Sequence, residues 1–168
     1  MNDIGRYAAV RSRYPELISA QPQWRHTCAG DWTAALPSRE DVQVLANLVA
    51  HTGVIINVSA TMTLDFAIHD KPVVNLAYDV GGTQPFGVSL WDFHYQFEHY
   101  RPVIELGAAR FARTPDELAR HTNACLLNPD LDQDGRKRFV ELEIALPLGE
   151  SSRAIIDTLR HIAETRVF

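Results

Sequence analysis

Between Val54 and Asp79 the chain reads VIINVSATMTLDFAIHDKPVVNLAYD. Val54-Ile55-Ile56 is an apolar, β-branched run, the composition of a parallel strand covered on both faces. Val73-Val74-Asn75-Leu76-Ala77 is a second run of the same kind. The residues between them leave room for a tight turn and one short helix, Leu64 to Ile68. Lys71-Pro72 ends that helix, because proline disfavours the helical region in the residue before it. Parallel strands need a crossover connection, usually a helix, and such crossovers wind right-handed. The segment therefore predicts an α/β fold, Rossmann-like, with a small, mostly parallel sheet flanked by helices.

Other stretches place elements around this unit. Residues 4–20 carry Ile4, Tyr7, Ala8, Val10, Tyr14, Leu17 and Ile18 at helical spacing, with Pro15 dividing or ending the helix. Residues 21–37 read mainly as loop, with a short strand near 24–27. Ser38-Arg39-Glu40-Asp41 resembles a capping box, and Val42, Leu45, Leu48 and Val49 continue it as a helix. Residues 79–102 form a long connection holding Phe86, Trp91, Phe93, Tyr95, Phe97 and Tyr100, six of the chain's fifteen aromatics. That much aromatic surface argues against disorder and predicts packing on the sheet end. Val103-Ile104-Glu105-Leu106 reads as the third strand, broken by Gly107. Thr114-Pro115-Asp116-Glu117 starts a helix that runs to about Leu127. Helices near 135–146 and 151–165 follow, the last with Ile155, Ile156, Leu159 and Ile162 on one face. The expected organisation is an N-terminal helix and loop over 1–37, read as a remnant of a longer chain, and a Rossmann-like domain over 38–168.

Several function classes are disfavoured. A formal charge of −5 and a pI near 5.8 argue against non-specific nucleic-acid binding, and no nucleic-acid partner is expected. The densest basic run, Arg136-Lys137-Arg138, lies inside a predicted helix. No apolar run approaches the ~20 residues of a membrane span. Cys28 and Cys125 are too few and too far apart for a disulfide framework or a metal-ligand pair. No metal and no cofactor are expected. Reduced cysteines and a polar N-terminus with Asp3, Arg6, Arg11 and Arg13 predict a cytoplasmic protein.

The turn after the first strand is the candidate binding site. Ligands of open α/β sheets lie beyond the carboxyl ends of the strands. A helix start there offers unpaired N–H groups and a partial positive charge. Ser59, Thr61 and Thr63 add hydroxyls, Ala60 permits close backbone approach, and Asp65 could accept from ribose hydroxyls. The same Ser and Thr residues are also ordinary helix caps. No GxGxxG or GxxxxGK stretch is present. Asp79, His94 and His99 are weaker candidates for catalysis, because they fall near the same sheet end.

The segment 54–79, with its flanks SREDVQVLANLVAHTG and TPDELARHTNACLLNP, resembles the nucleotide-sugar half of two-domain glycosyltransferases of the GT-B fold. It is also similar to the matching segment of CDP-glycerol glycerophosphotransferases and UDP-N-acetylglucosamine 2-epimerases. The resemblance covers roughly residues 38–165 and implies the C-terminal, donor-binding half of such a fold. By position it implies that Ser59, Ala60, Thr61 and Thr63 meet the donor diphosphate and that Asp65 meets the ribose. Ala60 stands where many relatives have Gly or Ser, and Asp65 where many have Glu. The implied partners are a nucleotide diphosphate sugar and an N-terminal acceptor-binding domain, in the same chain or another. The chain alone is then expected to be catalytically silent. An epimerase- or hydrolase-like enzyme on the same fold, and a non-catalytic interaction domain, are the alternatives.

Overall fold

The computed structural model describes residues 7–26, 34–81, 87–144 and 147–165. Ile4, Cys28 and Phe86 lie outside them. The chain divides into two compact units, Met1–Leu48 and Val49–Phe168.

In the first unit, helix α1 is only Ala8–Arg13, with Tyr14 as its C-cap directly before Pro15. The helix expected over 4–20 is thus cut short where the proline forbids its continuation. Tyr14, Leu17 and Ile18 are exposed. Strand β1 (Arg25–His26) pairs antiparallel with β2 (Ala35–Leu36), which lies in the stretch read as loop. Helix α2 spans Arg39–His51 and runs across the boundary between the units. Its start is a reciprocal capping box. The Asp41 N–H donates to Ser38 Oγ at 3.0 Å, and the Ser38 N–H donates to Asp41 Oδ2 at 2.8 Å. Asp41 Oδ1 also accepts from the Gln23 N–H. The backbone donors of Gln23 and Ser38 hold the Asp41 carboxyl below its usual pKa.

The second unit is built on β3 (Ile55–Asn57), α3 (Met62–Ile68) and β4 (Val73–Leu76), as the 54–79 pattern requires. The connection that follows holds α4 (Leu90–His94), a 3₁₀ turn at Glu98–Tyr100 and α5 (Arg101–Glu105). Strand β5 is Arg110–Ala112. The sheet order is β3-β4-β5, parallel throughout, with Ile55 opposite Val73 and Val74 opposite Arg110. Helices α6 (Pro115–Leu127), α7 (Gln133–Glu143) and α8 (Ser151–Thr165) complete the chain. Thr114 caps α6 by accepting from the Glu117 N–H at 3.1 Å, as its sequence predicted.

Alternation along β4 sorts the core into two layers. Val73 packs with Phe66, Tyr95, Tyr100, Val103 and Phe139, so α3, α5 and α7 cover that face. Val74 packs with Ala112, Cys125 and Leu118, so α6 covers the other. This is an α/β sandwich with a three-stranded parallel sheet, a Rossmann-like half-fold. No described helix is long and apolar enough to cross a membrane.

The third strand is not where the sequence places it. Residues 103–106 fall in α5 and its C-cap, and the strand lies seven residues on, beginning at Arg110. A four-residue apolar run fits a buried helical turn as well as a strand. Pro102 sits in the first turn of α5, Val103 is buried, and Gly107 at φ 65° ends it. The strand itself opens on a charge, Arg110, whose Nη2 donates to Asp132 at 3.0 Å.

Helix α7 is fastened by two of its residues. Gly135 lies so close to the Leu106–Gly107 turn that a Cβ would stand 2.3 Å from the Gly107 carbonyl oxygen. Arg136, 1% exposed, donates from Nε to Asp70 Oδ1 at 2.9 Å, from Nη2 to the Pro129 carbonyl at 3.0 Å, and from Nη1 to the Leu131 carbonyl. Asp70 stands at φ 53° in the loop after α3 and also accepts from Gln133. The guanidinium thus ties the α3–β4 loop to α7 and to the loop before it. By contrast, Ile155, Ile156, Leu159 and Ile162 of α8 are all exposed.

Gly135→Ala forces backbone apart rather than a flexible side chain, so roughly 2 kcal/mol of stability is lost, within the usual cost of overpacking; the urea midpoint reads it. Asp70→Ala leaves a buried guanidinium without its carboxylate. It costs about 3 kcal/mol, the low end for breaking a buried pair because Asp70 keeps contact with water. Arg136→Met, which removes the charge as well, loses less in the same assay.

Candidate functional site

All three strands end on the same edge. Ser59 follows β3, Asp79 follows β4, and Arg113 follows β5. The first turn is shaped by backbone. Ser59 takes φ 40°, the left-handed region that a β-carbon disfavours. Thr61 is exposed and stands at the N-cap of α3 without a side-chain capping bond. The Thr63 and Leu64 N–H groups bond to the Ala60 and Thr61 carbonyls at 3.0 and 2.9 Å. Asp65 is half-buried in the first turn of α3. Thr61 and Asp65 therefore sit together at the start of a seven-residue helix.

Thr63 is different. It is 1% exposed, and its hydroxyl lies 2.9 Å from the Tyr100 hydroxyl. Asn57 Nδ2 donates to it at 3.4 Å, and the Tyr100 hydroxyl donates to Asn75 Oδ1 at 3.1 Å. The donors run in one direction: Asn57 amide, Thr63 hydroxyl, Tyr100 hydroxyl, Asn75 carbonyl. Asn57 and Asn75 are register partners on β3 and β4. This chain fastens α3 and the 3₁₀ turn onto the sheet, and it occupies the hydroxyl that the resemblance assigns to a diphosphate.

The aromatic connection does pack on the sheet end. The Tyr95 hydroxyl accepts from the Ser59 N–H at 3.3 Å and donates to the Leu76 carbonyl at 2.6 Å. Trp91 meets Tyr95 at a tilt and Phe111 edge-on, with ring centroids 5.1 and 5.5 Å away. The Arg113 guanidinium lies over the Trp91 ring, 3.4 Å from its centroid, in cation–π geometry. Phe93 and Phe97 stay exposed.

The weaker candidates have local roles. Asp79 Oδ1 accepts from the Leu90 N–H at 3.0 Å and so anchors the start of α4. His94 meets the Phe93 ring edge-on, and His99 stacks on Phe97. Among the described residues no three His, Cys, Asp or Glu side chains gather as a metal site would need.

Arg113 and Asn75 escaped sequence reasoning, which names Tyr95 only as one of the aromatics of the connection. Arg113 becomes a sheet-edge residue only once β5 is placed at Arg110–Ala112. A polar Asn75 inside an apolar run was the legible signal for the buried hydrogen-bond chain. Comparison with known proteins finds no matching family model, no matching curated protein and no matching solved structure.

Burial raises the pKa of both Tyr95 and Tyr100. Unfolded tyrosines ionise near pH ~10, whereas these two stay protonated in the folded chain. Their contribution is therefore intact below that pH and is lost as pH climbs toward the folded values. Urea titrations should show stability falling above about pH 10, with a shallower fall in Tyr95→Phe and in Tyr100→Phe.

Proposed function

We propose that the chain binds the diphosphate of a nucleotide sugar at the carboxyl edge of the β3-β4-β5 sheet, as the donor half of a glycosyl-transferring enzyme. One observation carries this reading beyond the resemblance of residues 54–79. The Ser59–Thr61 turn and the Arg113 guanidinium belong to the same sheet edge, linked through Tyr95, which accepts from the Ser59 N–H, and Trp91, which lies tilted against Tyr95 and under Arg113. Backbone N–H groups of the turn and the Thr61 hydroxyl meet phosphate oxygens, Arg113 supplies the cation, and Asp65 accepts from the ribose. Thr63 has no part in contact, because its hydroxyl is buried and bonded.

Magnitudes require the cation. A helix start stabilises a charge by only ~0.3–1 kcal/mol, whereas micromolar affinity needs ~8 kcal/mol. A stacking surface and a guanidinium supply more than the turn can. Transfer also needs an acceptor hydroxyl held within ~3–3.5 Å of the sugar carbon and commonly a general base. In this reading a second domain contributes those groups. The exposed apolar face of α8 favours a second reading, a non-catalytic interaction domain.

Calorimetric titration with UDP, GDP, CDP and dTDP tests the proposal. One of the four binds, and Thr61→Ala with Asp65→Ala weakens it about tenfold or more, two lost polar contacts at ~1–3 kcal/mol each. Arg113→Gln weakens it and flattens its salt dependence. Unchanged affinity in both variants, with unchanged circular dichroism, refutes the assignment.

A further inference from the structure

We draw no further inference here: the strongest candidate, the exposed apolar face that Ile155, Ile156, Leu159 and Ile162 form along α8, is an unpartnered helix face, and nothing in the structure shows what covers it.

Discussion

Strand Val73–Leu76 is hydrogen-bonded along both edges and covered on both faces, and the second unit is organised around it. A strand in that position can satisfy its backbone only through its two neighbours, because water does not reach it. Parallel pairing on each side then obliges the chain to cross over twice. The first crossover is the short one through α3. The second carries the chain through α4, the 3₁₀ turn and α5 before it re-enters the sheet at Arg110. The long aromatic connection is thus a crossover, and the parallel topology accounts for its length.

Polar groups specify how the layers meet. Asn57, Thr63, Tyr100 and Asn75 pass hydrogen bonds across the sheet end. Arg136 does the same at the opposite side of α3 through Asp70. Burying a guanidinium costs several kcal/mol before its partners offset it. Its geometry, with two loop carbonyls as well as a carboxylate, is met in only one placement of α7. The glycine beside it sets the distance of that placement, since any side chain at 135 would push the helix from the Leu106–Gly107 turn.

At the sheet edge the same logic divides the Ser/Thr-rich turn in two. Thr63 faces inward and is spent on the core, while Thr61 faces outward and Asp65 lies half-buried one turn further along. Tyr95 accepts from the Ser59 N–H and so commits that backbone donor of the turn. Trp91, edge-on to Phe111 and under the Arg113 guanidinium, closes the edge at β5.

Local chemistry was readable along the chain because it depends on neighbours in sequence. The β–α–β unit at 54–79, the capping box at Ser38, the helix start at Thr114 and the stop before Pro15 all follow from periodicity, hydroxyl placement and the proline ring. Residues 103–106 show where that reasoning ends, since an apolar run of four has no period of its own and tertiary packing made it a helix. Arg136 shows it again: its place in a basic run inside a helix gives no sign of burial, yet it is the most deeply buried cation described. Which hydroxyl of the Ser59–Thr63 turn faces water, which carboxylate meets Arg136, and that Arg113 shares an edge with Ser59 were decided only in three dimensions. Each depends on contacts between residues dozens of positions apart, and such contacts exist only after the strands have paired.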